Sequence, residues 1–157
     1  MNLDATDIRL LDLLQNDASL SNQDLAARAH TSPATALRRV RRLVDEGVIE
    51  RRVALLNPER VGDGLTALVE VSLDRQGAEH LDAFEARTVT DAAVQQCYRV
   101  SPGPDFVLVL HLADMAGYHA LVQRLFTQDA NVRNVKAFFS VKRAKFDPRI
   151  VLGPAAA

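Results

Sequence analysis

The chain has 157 residues, 48% hydrophobic and 25% charged, which fits a globular protein of one domain or two small ones. Nineteen basic and 20 acidic side chains leave a formal net charge of −1, which excludes a general polycationic coat for nucleic acid but permits a locally basic helix. One cysteine, Cys97, excludes an intrachain disulfide, and no segment approaches the roughly 18 apolar residues of a membrane span. Acids within Met1–Asp7 argue against a secretory leader, so the expected location is the cytoplasm.

The first predicted helix runs from Leu3 to Leu14, with Asp4 or Thr6 as its cap and Ile8, Leu11 and Leu14 at helical spacing. A second spans Ser21 to Ala29, where Ser21 is the candidate N-cap and Leu25, Ala26 and Ala29 form the apolar side. After a short His30-Thr31 turn, Ser32 caps a third helix, Pro33 suits its first position, and Gly47 ends it. Three short helices with a tight turn before the third make a helix-turn-helix.

The third helix carries two stripes. Ala36, Val40, Leu43 and Val44 make the apolar one, and Thr35, Arg38, Arg39 and Arg42 make a second, turned away from it. Within the helix only Asp45 and Glu46 can pair with the arginines, and neither Arg38 nor Arg39 has an acid three or four residues away. The plainer reading is a solvated face; the helix-turn-helix context favours double-stranded DNA. Thr35 and Arg39 are the candidates for base edges, Arg38 and Arg42 for bases or phosphates, and Ser32 for a phosphate at the helix N-terminus. Arg51 and Arg52 follow as possible backbone contacts.

Val48 to Leu56 reads as a strand, Asn57-Pro58 breaks it, and Gly62-Asp63-Gly64 reads as a hinge. Beyond the hinge, Leu65, Ala67, Val69, Val71 and Leu73 alternate as a strand, and Ala78 to Arg87 is a helix with Leu81 and Phe84 inward. Val94 to Val100 is a strand, Ser101 to Pro104 a turn, Phe106 to Leu112 a strand apolar on both faces, Met115 to Thr127 a helix, and Val135 to Lys142 a last strand. The order β-α-β-β-α-β is the ferredoxin-like split unit, with its first and third strands central. Its helices cover one face of the sheet, so the other calls for a cover, most simply a second copy of the same sheet.

The expected fold is α+β: a winged-type helix-turn-helix over 1–50, a linker strand and hinge over 51–64, and a ferredoxin-like effector-binding and oligomerisation domain over 65–157. This arrangement resembles the Lrp/AsnC family of transcription regulators. The tokens are Leu3-Asp4 with Asp7, Leu25-Ala26, Ser32-Pro33, Arg39-Val40 with Leu43, Gly47-Val48-Ile49, Asn57-Pro58 with Gly62, Gly103-Pro104-Asp105-Phe106, and Lys145. The resemblance spans Leu3 to about Pro148. It implies a dimeric DNA-binding protein, often assembled to tetramers or octamers, with an amino-acid effector held between dimers and a nucleoid-associated cytoplasmic location.

By the same resemblance Ser101, Pro102, Gly103, Pro104 and Asp105 form the effector loop, with Asp105 suited to an α-ammonium group, and Val135 and Ala137 form the opposite wall. Val135 and Ala137 stand where members with a filled site often carry a threonine or serine, so a carboxylate loses hydroxyl donors here. Two competing functions remain. One is a tetrapyrrole (siroheme-type) decarboxylase of the same architecture, for which Tyr98-Arg99 is a partial echo. The other is an oligomeric DNA-binding protein without an effector. No cofactor is expected. His30, His80, His111 and His119 lack metal-ligand spacing, no histidine neighbours Cys97, and no catalytic residue is assigned.

Overall fold

The computed structural model describes residues 2–62 and 64–153. Asp63 of the expected hinge and the Ala155–Ala157 tail lie outside the described residues. The chain forms two compact units, one of residues 2–55 with 145–153, the other of the described residues 56–144.

The first unit is a bundle of α1 (Ala5–Asn16), α2 (Asn22–Arg28) and α3 (Pro33–Asp45). Its ends are fixed by local chemistry. Asp4 caps α1 by accepting from the N–H groups of Thr6 and Asp7, while Asp7 reaches back to the Asp4 N–H, a complete capping box. Ser21 caps α2 and Ser32 caps α3, with Pro33 in the first turn. Between them, Thr31 N–H donates to Ala26 C=O and His30 N–H to Ala27 C=O, the paired bonds of a Schellman ending. His30 supplies its left-handed step at φ 55°.

Leu10, Leu25, Ala26, Ala29, Ala36 and Val40 form the core of this bundle. Three of the six are alanines, which lets the helices approach closely. Asn22 binds the first turn of α3 from the side, its amide donating to Pro33 C=O at 2.9 Å. Residues 145–153 belong to this unit, whereas the sequence placed them with the sheet domain. Gln15 explains the difference: its side chain accepts from Ile150 N–H at 2.7 Å and donates to Ile150 C=O at 3.1 Å, satisfying the peptide as a strand neighbour would. Arg149 adds a bond to Asn16.

The predicted strand over Val48–Leu56 does not form; these residues belong to no sheet, and Val53, Leu55 and Leu56 are exposed. A strand needs a ladder partner, and none is present among the described residues of the chain. Asn57 instead caps a single turn, α4 (Pro58–Val61).

The second unit is a four-stranded antiparallel sheet, in order β2-β3-β1-β4, from β1 (Leu65–Leu73), β2 (Val94–Arg99), β3 (Phe106–Leu112) and β4 (Val132–Phe139). The two central strands are the first and third, as expected. β4 starts three residues early because a register shift at Ser72/Leu73 brings Val132 opposite Leu73. Two helices, α5 (Ala78–Thr88) and α6 (Met115–Val122), lie between the strands in sequence, and α6 ends in a π-helical turn, Gln123–Thr127, rather than running as one α-helix to Thr127.

Ala67, Val69 and Val71 of β1 and Phe106, Leu108 and Leu110 of β3 are fully buried, packed with Phe84, Leu121 and Phe126. Their alternate neighbours, including Leu68, Val107 and Val109, face the other way; Leu68 is exposed and the two valines partly so. Leu108→Ala is expected to cost about 3–4 kcal/mol, the usual range for a buried leucine in a packed core, measured as a lowered urea midpoint followed by circular dichroism.

Candidate nucleic-acid interface

The two faces predicted for α3 divide into three. Ala36, Val40 and Leu43 are buried in the bundle. Arg39 and Arg42 turn toward the N-terminus of α1. Arg38 and Arg41 point away from the core and are exposed, with no ion pair among the described residues.

The second face centres on Asp7, which is 1% exposed. Arg39 Nη1 donates to Asp7 Oδ1 at 2.9 Å and to Asp4 Oδ2 at 2.6 Å, and Arg42 Nη2 donates to Asp7 Oδ2 at 2.6 Å. Burial of a lone carboxylate would be strongly unfavourable, and these bonds together with the Asp4 N–H offset it. The side chain of Arg39 is only 20% exposed. The Nε atoms of both arginines are buried without an acceptor, so the guanidinium tips carry the contact. Arg39, expected to read base edges, therefore stands in an intramolecular ion pair, and Arg42 shares the same acid. A search for partners within one helix could not find this, because the acids lie 32 to 35 residues upstream. The available signal was an unexplained Asp4/Asp7 pair opening a helix whose neighbours carried surplus arginines.

Both carboxyls respond. Desolvation pushes Asp7 up, but hydrogen bonds from Arg39 and Arg42 outweigh it and the net shift is downward. The Asp7 N–H, then the Arg39 guanidinium, hold Asp4 at about 2.

The other predicted contacts sit at the start of α3. Ser32 Oγ accepts from Thr35 N–H at 3.2 Å and donates to Thr35 Oγ1 at 2.9 Å, so the two side chains share one cap. Ser32 is exposed and Thr35 partly so. Arg51 and Arg52 are exposed in the segment after α3.

In the second unit the loop Ser101–Asp105 joins β2 to β3, with Ser101, Pro102 and Gly103 exposed. Asp105 is tied into the sheet: its Oδ2 accepts from Leu73 N–H at 2.7 Å and Gln76 Nε2 at 3.3 Å, while its own N–H donates to Val71 C=O. Among the described residues Oδ1 accepts no hydrogen bond. Val71 pairs with Phe106 on one side and Val135 on the other, so the loop and the start of β4 share one end of the sheet, with β1 between them. Val135 and Ala137 face the helices and pack on the core. Elsewhere Tyr98 Oη donates to Gln96, and Arg99 pairs with Asp82 at 2.7 Å and Glu85 at 2.8 Å.

Comparison with known proteins follows this division. Residues 3–50 match the winged helix-turn-helix DNA-binding family and residues 66–150 the Lrp/AsnC ligand binding domain. An HTH-type transcriptional regulator from Haemophilus influenzae is 37% identical over 96% of this chain and 89% of its own. The structure of an AsnC family transcriptional regulator from Agrobacterium tumefaciens superposes with a TM-score of 0.86 at 30% identity, covering 94% of this chain and 96% of that one. A transcriptional regulator from Neisseria meningitidis, solved as a complex with L-methionine, gives 0.85 at 30% identity, covering 95% and 96%.

Protonating Asp7 or Asp4 strips Arg39 and Arg42 of their partners. Both carboxyls have folded values below the unfolded value near 4. Their contribution to stability is complete above about pH 4 and is lost as pH falls through the folded values, toward 2 for Asp4. Helix melting of the full chain, followed at 222 nm, should move to lower temperature as pH falls across that window. Asp7→Asn should lower stability by about 1.5–3 kcal/mol at pH 7, the range for bonds to a charged group, and flatten the acid limb.

Proposed function

The chain belongs to the Lrp/AsnC family of transcription regulators, and on that premise we propose that it binds operator DNA as a dimer and answers to an amino acid. The observation that carries the DNA reading is the exposed face of α3, with Ser32 and Thr35 at its N-terminus and Arg38 free along its length. A helix N-terminus attracts a phosphate, and a free arginine reaches a guanine edge. Two such helices, about 34–36 Å apart, would enter successive major grooves.

The sheet supports the dimer. On its helix-free face Phe138, Leu68 and Val109 lie in one cross-strand row, with Lys136, Glu70, Val107 and Tyr98 in the next. Leu68 and Phe138 are each 44% exposed and Tyr98 54%. A row of this kind is self-complementary across a two-fold axis, and larger rings would extend the same assembly. Leu68→Glu should yield a monomer in sedimentation velocity while retaining the helical signal; a dimer that persists would remove this face from the assembly.

An amino-acid effector is supported by the loop Ser101, Pro102, Gly103, Pro104 and Asp105, whose Asp105 keeps Oδ1 available for an ammonium group, and by the L-methionine complex of the Neisseria regulator. Val135 and Ala137 pack against the core on the helix-covered face and supply no hydroxyl donor to that site. Titration calorimetry with the proteinogenic amino acids should give heat for at least one, abolished by Asp105→Ala; flat traces for all would favour a DNA-binding protein without an effector. An enzymatic role has little support, because Tyr98 and Arg99 are engaged with Gln96, Asp82 and Glu85. No described helix is long and apolar enough to cross a membrane, and a cytoplasmic, nucleoid-associated location fits this function.

A further inference from the structure

We infer that the base-reading face of α3 is Ala34, Leu37, Arg38 and Arg41, and that Arg39 and Arg42 are positioning residues that set its angle. The inference rests on the reading of the chain as a DNA-binding regulator and assigns the work within that site.

The face is defined by what the other side chains already do. Ala36, Val40 and Leu43 are inside the bundle, and Arg39 and Arg42 are bound to Asp7 and Asp4. At about 100° per residue, positions 34, 38 and 41 fall opposite the buried stripe, with 37 beside them. All four are exposed, and Leu37 is 41% so. An unsupported leucine beside two free guanidiniums is a poor surface for water. It suits a major groove, where arginine reads guanine O6 and N7 and an apolar side chain meets the thymine methyl.

The charges along α3 give the approach a direction. Ser32 and Pro33 open the helix, whose unpaired N–H groups carry positive partial charge. Asp45 and Glu46 close it, both exposed. DNA is repelled by that end and drawn to the other, so Ala34, Leu37 and Arg38 lie deepest, and Arg41 reaches the next base or its phosphate. The Asp7 clamp removes two of the helix's four arginines from competition for DNA. It also fixes the rotation of α3 about its own axis, which decides which of the remaining side chains meet base edges.

In vitro selection from a randomised double-stranded DNA library tests the assignment, using the full chain and the variants Arg38→Ala, Arg41→Ala, Leu37→Ala, Arg39→Ala, Arg39→Lys and Asp7→Asn. Arg38→Ala and Arg41→Ala should keep the wild-type melting temperature, lose roughly ten- to a hundredfold in affinity for the selected duplex, and change base preference at particular positions. Leu37→Ala should relax a thymine preference. Arg39→Ala and Asp7→Asn should lower the melting temperature and blur base preference across the whole motif rather than at particular positions, with Arg39→Lys recovering part of both losses. A motif altered by Arg39→Lys but untouched by Arg38→Ala and Arg41→Ala would overturn the assignment while sustaining the DNA reading. A wild-type protein that enriches no sequence would overturn both.

Discussion

A carboxylate buried at the start of the first helix organises the DNA-facing unit. Asp7 is an acid in a place where an acid is tolerated only with full compensation, and Arg39 and Arg42 provide it from the third helix. The same carboxylate closes the capping box with Asp4, so one side chain terminates α1, neutralises two cations, and joins helices that are distant in sequence. Apolar contact alone would hold α3 against the bundle while tolerating some rotation, because Ala26, Ala29 and Ala36 make a smooth surface. A pair of directed ion pairs to one fixed acid does not tolerate it. The orientation of α3 on the bundle follows from that constraint.

The clamp also changes the electrostatics. Asp4 and Asp7 cancel Arg39 and Arg42 locally, which leaves Arg38 and Arg41 as the cations of α3 without an ion pair among the described residues, with Asp45 and Glu46 exposed at its far end. Near-neutral overall charge adds nothing to it. A single helix with so few free cations makes few phosphate contacts, and binding that rests on few phosphate contacts is weak at physiological salt. The unit orients its helix through the Asp7 ion pairs, and in the proposed dimer strength would come from having two such helices.

Sequence periodicity was a good guide wherever a residue's surroundings are local. The caps Ser21 and Ser32, the Gly47 stop, and strands β1 and β3 lie where spacing and side-chain chemistry put them, because each depends on neighbours within a few residues. It was a poor guide where the partner is remote. The Asp7–Arg39 pair crosses 32 residues and has no helical spacing to reveal it. The alternation of Val48 to Leu56 is real, but alternation gives a strand only with a ladder partner, and this chain offers none among its described residues. The early start of β4 follows from a register shift in β1, and the return of residues 145–153 to the helical unit follows from the Gln15 side chain. Of the candidate sites, residue types were legible and roles were not: six arginines between positions 38 and 52 look equivalent in a string, and a buried acid sorts the four on α3.

The two faces of the sheet differ in what folding requires of them. Alternation along β1 and β3 sends Ala67, Val69, Val71, Phe106, Leu108 and Leu110 under the helices and leaves Leu68, Val107 and Val109 opposite. The buried set would hold this unit together without the exposed set, so folding alone does not require apolar residues on the outer face. The proposed assembly would account for their presence. A regulator whose single helix binds weakly gains affinity by pairing, and the gain depends steeply on the fraction of paired chains. A ligand that bound at the Asp105 end of the sheet, and that favoured one assembly state, would alter DNA occupancy without touching α3. In the proposed assembly, weak free charge on α3 would make DNA occupancy sensitive to pairing, whereas a more basic helix would stay bound as a monomer.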